Sequence, residues 1–230
     1  MGWKIVLIDK TTGSVVPPGQ LEQIAAAVQQ QVDNDFAPVW GVRADISAPA
    51  AGDAIPPDAW PVNVVNLGSL NPEDSGTHLD NQAQPYAQVI NGPDLSSVIS
   101  HEVLEMLADP WGNRFVPGPD IDTSNAGREV FYLVEVCDPC ENSKYPIDGV
   151  QVSDFVRPSF YDQNGVAPFD FLGTSDGPLK VPQGCYISWI DPVDWKWHRI
   201  ITNGSIVTGD VTSSRNPRED HYKAFGDNAG

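Results

Sequence analysis

The residues best suited to chemistry lie together in one segment, Asp94-Leu-Ser-Ser-Val-Ile-Ser-His-Glu-Val-Leu-Glu-Met-Leu-Ala-Asp-Pro110. At roughly 100° per residue on a helix, Glu105 falls about 40° from His101, Asp109 about 80° and Glu102 about 100°. Ile99, Val103, Leu104, Met106 and Leu107 fall on the opposite side, so one face is apolar and the other gathers an imidazole and three carboxylates. Acids crowded in this way repel one another unless a cation or solvent relieves them. A spacing of four residues lets His101 and Glu105 reach one metal ion. The intervening Glu102 is then the general base, as in helices of the H-E-x-x-H type. Glutamate in place of the second histidine keeps zinc feasible, since carboxylates ligate it, and brings Mn²⁺, Fe²⁺ and Ca²⁺ closer in suitability.

A third ligand from a later element is usual for catalytic zinc, and Glu135 in Phe131-Tyr-Leu-Val-Glu-Val-Cys137 is the candidate. A lone charge in so apolar a stretch is costly without a partner. Asp138, three residues on, is placed to steady His101 through its other ring nitrogen. His78 sits in a Gly/Asp/Asn-rich stretch, Gly76-Thr-His-Leu-Asp-Asn81, near the expected cleft, and reads either as a substrate or oxyanion contact or as a surface-loop histidine. Tyr132, Tyr145 and Tyr161 each offer a hydroxyl that can polarise a carbonyl, with nothing to choose among them.

Several periodic segments surround these groups. Residues 3–8 read as a strand and 19–33 as a helix with Leu21, Ile24, Ala25 and Val28 on one side. A strand near 39–46, a buried strand at 62–67 and another at 85–90 follow, then the helix 95–108, which Pro110 ends. This order predicts an α/β (α+β) fold, a mixed sheet with the metal-site helix packed beneath it. Residues 111–129 read as a long loop, and the segments around 150–156, 185–190 and 199–207 as short strands. One catalytic domain is expected, with an α/β part at 1–110, a loop-rich β-containing part at 111–212 that completes the metal site, and a poorly ordered polar tail at 213–230.

These residues also resemble a family of zincin-like metallopeptidases from bacteria and phages. The resemblance rests on Ser-His-Glu-Val-Leu-Glu-Met-Leu-Ala-Asp-Pro (100–110) and on Leu-Val-Glu-Val-Cys-Asp-Pro-Cys-Glu (133–141). It extends to Phe36–Gly41, Thr77–Val89, Tyr145–Tyr161 and Val181–Trp189, and so spans most of the chain. It implies His101, Glu105 and Glu135 as metal ligands, Glu102 as base, and Asp109 and Asp138 behind them, Asp109 also fixing the helix end. In zincins an edge strand beside the active helix pairs with extended substrate, which points to Tyr86 and Ala87 in the strand just before the helix. The implied activity is hydrolysis of a peptide or protein substrate with Zn²⁺ as cofactor.

Composition narrows the alternatives. A 230-residue chain with 40% hydrophobic residues can bury a core. A net charge of -18 repels phosphates, so a nucleic-acid partner is not expected. No apolar run is long enough for a membrane span and no signal-peptide pattern is visible, so the expected location is cytoplasmic, released or virion-associated. The odd count of three cysteines does not make a disulfide scaffold, and Cys137-x-x-Cys140 lacks the second pair of a structural zinc site. The Trp-rich segment 189–198 reads as the core of a small β unit. Two other readings stay open. One is a non-catalytic binding or structural module, phage- or secretion-linked, on the same scaffold. The other is a calcium-stabilised β-rich domain using Asp120 and Asp122.

Overall fold

The structure is a computed structural model and describes residues 2–13, 15–50, 52–71, 74–201, 204–211 and 217–225. Strand β1 (Trp3–Asp9) alternates enough apolar residues to bury Ile5, Val6 and Leu7. Helix α1 (Gln20–Gln31) lays Leu21, Ile24, Ala25 and Val28 inward, as its period predicts. It runs on through a wider turn at Val32–Phe36 into a short helix, α2 (Ala37–Trp40). The strand expected near 39–46 is therefore shorter and later, β2 (Ala44–Ser47), because residues 37–40 stay helical until Gly41 turns left-handed.

Strands β3 (Trp60–Val65), β4 (Gly76–Asn81) and β5 (Gln84–Ile90) complete a mixed sheet in the order β2-β1-β3-β5-β4. The first four strands in that order run parallel, and β4 is antiparallel to β5 at the edge. Residues 76–81, read as a loop from their Gly, Asp and Asn content, are thus a strand. The turn joining β4 to β5 has two left-handed residues, Gln82 (φ 52°) and Ala83 (φ 68°), which suits the twist of a two-residue hairpin. This pairing places β5 inside the sheet: Ala87 is opposite Val62 on one side and His78 on the other. The edge strand is β4, and β5 cannot take up a peptide by strand addition.

Helix α3 (Leu95–Ala108) follows β5 and buries thirteen of its residues, leaving only Ser96 partly exposed. Its polar face does not meet water. It lies against β4, β5 and the hairpin of β8 (Lys144–Ile147) and β9 (Val150–Ser153), whose β9 strand packs on the helix. A small buried network ties these together: the Ser100 hydroxyl donates to Gln31 Oε1 at 2.7 Å and accepts from the Ser153 backbone N–H at 3.0 Å. Gln31 Nε2 closes the loop on the Ser153 carbonyl at 2.8 Å.

The second half holds an antiparallel sheet, β12-β11-β10-β7-β6, of β6 (Phe115–Pro119), β7 (Glu129–Leu133), β10 (Ile187–Asp191), β11 (Lys196–Ile200) and β12 (Ile206–Asp210). Residues 111–129 are accordingly not one loop. They enter β6 and turn at Thr123–Asn125 before β7. Trp189 and Trp197 are core residues, whereas Trp195 is 61% exposed at the hairpin tip. The tail expected to be disordered carries helix α4 (Pro217–Phe225), which buries Asp220 and His221 against Trp197 and Arg199. Residues 213–216 and 226–230 of that tail lie outside the described residues. One contiguous apolar core runs from Ile5 and Val62 through Ile99 and Val103 to Tyr132, Val136 and Trp189, so both parts share it. The chain is an α+β protein.

Candidate metal centre

Three segments converge on one buried polar cluster: the middle of α3, the edge strand β4 and the connection after β7. The α3 spacing turns His101, Glu102 and Glu105 away from the core side of the helix. From β4, the alternation of side chains sends Gly76 and His78 to the same face, toward α3. Along the connection, Val134 bonds back to Arg114, Val156 donates to the Val136 carbonyl, and Tyr186 donates to the Asp138 carbonyl. These backbone bonds hold Glu135 and Asp138 inward, and the Tyr161 hydroxyl adds another to the Glu135 carbonyl at 3.0 Å.

The tightest group is His101, Glu105 and Asp138. His101 Nε2 is 3.3 Å from Glu105 Oε1 and 3.2 Å from Asp138 Oδ1. Both carboxylates therefore face the same ring nitrogen. Asp138 faces this nitrogen, not the other ring nitrogen that its spacing suggested. A direct charged N–H···O bond is shorter, about 2.7–2.9 Å. By contrast, donors about 2.0–2.2 Å from a tetrahedral cation stand roughly 3.3–3.6 Å apart. One donor atom from each of the three side chains lies within 4.8 Å of the others, so the set could hold a divalent ion. Glu105 Oε1 is also fixed by the Cys137 backbone N–H at 3.1 Å.

A second group forms on the other side of Glu105. His78 Nδ1 lies 3.4 Å from Glu102 Oε2 and 3.6 Å from Glu105 Oε2, and its Nε2 lies 3.8 Å from Glu135 Oε2. His78, Glu105 and Glu135 can present donor atoms within 4.8 Å of one another, as can His101, Glu105 and Asp138. Glu135, expected beside His101, is thus nearer His78. His78 itself is fully buried on a strand rather than in a surface loop. Its two-residue alternation with Gly76 was the signal available in the sequence, masked by a loop-like composition.

Burial governs the electrostatics. None of these six side chains is more than 6% exposed. Desolvation pushes the His101 imidazole down, but the Glu105 and Asp138 carboxylates outweigh it and hold its pKa well above the usual histidine value. The Cys137 and Cys140 thiols are pushed up by burial, and all three cysteines are free and buried, so neither a disulfide nor a reactive thiolate arises here.

Asp109 is fully buried and accepts from the backbone N–H groups of Asn113 (3.0 Å) and Arg114 (2.9 Å), so it fixes the exit from α3. Tyr86 lies away from the cluster and lines a cavity of about 480 Å³ with Asp80, Asn81 and Glu219, while Ala87 is fully buried in the sheet. Of the three tyrosines, Tyr161 reaches the centre. Tyr132 donates to the Pro119 carbonyl and Tyr145 to Asp35. Asp120 and Asp122 accept from Asn125 and the Ser124 backbone as turn-formers. Among the described residues no helix is long and apolar enough to cross a membrane. No protein-family model, curated protein or solved structure matches the chain.

Proposed function

We propose that the chain is a zincin-like, metal-dependent peptide hydrolase, with a divalent cation, zinc for preference, on His101, Glu105 and Asp138. The observation that carries this reading is the 3.2–3.3 Å placement of both carboxylates around one imidazole nitrogen, one residue from a further buried glutamate. Such a cation supplies Lewis acidity, polarising a peptide carbonyl and acidifying a water molecule. With a cation held there, Glu102 would take a proton from water and return it to the leaving amine. His78, 3.4 Å from Glu102, positions that carboxylate. An extended peptide would pair with the less buried end of β4, residues 79–81, by strand addition at the sheet edge. The cavity lined by Asp80 and Tyr86 takes a side chain at the far end of that strand.

The test uses zinc-loaded protein and a peptide library read by mass spectrometry. Wild type is expected to cleave, and Glu102→Gln to keep its zinc and lose about 10²–10⁴ in rate. Cleavage unchanged by Glu102→Gln contradicts the proposal. A second reading is favoured by the burial of the centre. Catalytic zinc keeps an open coordination position, whereas structural sites are closed. Bound zinc with no cleavage of any peptide assigns the chain to a non-catalytic module in which the ion braces α3 against the connection after β7.

A further inference from the structure

Glu105 has a carboxylate facing two ways. Oε1 looks to His101 and, with it, Asp138, while Oε2 looks to His78. Each half forms a His–carboxylate triad, and the two triads share Glu105 alone. We infer that Glu105 bridges two divalent cations, the second held by His78, Glu105 and Glu135 with Glu102 at its margin; this rests on the metal-dependent reading of the first site.

Charge favours two ions over one. The cluster buries four carboxylates, Glu102, Glu105, Glu135 and Asp138, beside two imidazoles. One dication with neutral imidazoles leaves two negative charges in a water-poor interior, where an uncompensated charge is costly. Two dications bring the sum to zero. Geometry agrees, since a carboxylate with an ion on each oxygen holds them at the separation of roughly 3.5–4 Å usual in two-metal hydrolytic sites. Glu105 faces His78 Nδ1 at 3.6 Å and Glu135 faces its Nε2 at 3.8 Å, so one ring nitrogen and the two carboxylates meet only within 4.8 Å, a looser set than the 3.2–3.3 Å around His101 Nε2. The other candidate group, Asp191, Asp194 and His198, is a poorer one because Arg128 already compensates Asp191.

The experiment is metal analysis of zinc-reconstituted, dialysed full-length protein. Wild type is expected to retain two zinc ions per chain and His78→Ala one. One ion in wild type overturns the bridged pair and leaves the single-site reading standing. No ion overturns both. Two ions in wild type and two in His78→Ala also overturn it, because the second ion is then elsewhere. If His78→Ala does not fold, zinc K-edge X-ray absorption on wild type decides. A metal–metal scattering vector near about 3.5–4 Å supports the pair, and its absence in zinc-loaded protein overturns it.

Discussion

Gly76 has no side chain where Glu102 needs room. A Cβ built there would stand 2.4 Å from Glu102 Oε1 and 2.7 Å from Val98. Edge strand and helix thus approach closely only because this position is glycine. Gly76→Ala is expected to lower stability in urea by about 1–3 kcal/mol through overpacking and to displace Glu102. An unchanged midpoint contradicts that. Individual chemistry was legible at this scale where spacing on one helix carried it: His101, Glu102 and Glu105 fall together as the helical period requires. The roles of Glu135 and Asp138 were not legible, because three residues on an irregular connection fix no direction until backbone bonds to Arg114, Val156 and Tyr186 are in place.

Elements hold the centre through contacts that are far apart in the chain. The Gln31–Ser100–Ser153 network joins α1, α3 and β9 beneath the metal-site face. Ser100→Ala leaves buried partners unmatched, so a loss of roughly 1–3 kcal/mol is expected on thermal or urea unfolding. A neutral result contradicts the account of how α3 is seated. Helices α1 and α3 could be read in advance because their apolar period is strong, as could β1, β3 and β5 from apolar runs. Strand β4 could not, since Gly, His and Asp disguise a pleated segment that is paired along its whole length with β5. Helix α4 was hidden for a different reason: it is polar in composition, and its place depends on tertiary bonds from Trp197 and Arg199.

Some carboxyl groups of the molecule are enclosed with its core, Asp154 and Asp170 among them, which makes stability depend on pH. Away from the candidate metal centre, burial raises the Asp154 carboxyl to about 7, with nearby Asp170 adding to it. A carboxyl that holds its proton more tightly when folded stabilises the fold below its unfolded pKa. That contribution is lost as pH rises from about 4 to about 7. Asp154→Asn is expected to flatten this fall, measured by urea unfolding at pH 4.5, 6 and 7.5, and parallel curves for both proteins contradict it. The α+β class was readable from the order of periodic segments, but the order of strands within the two sheets was not, because strand pairing is long-range. A cation among His101, Glu105 and Asp138 would be seen by anomalous diffraction at the zinc edge from a zinc-soaked crystal. The account requires a peak in contact with His101 Nε2, Glu105 and Asp138. An ordered cluster without a peak there contradicts it.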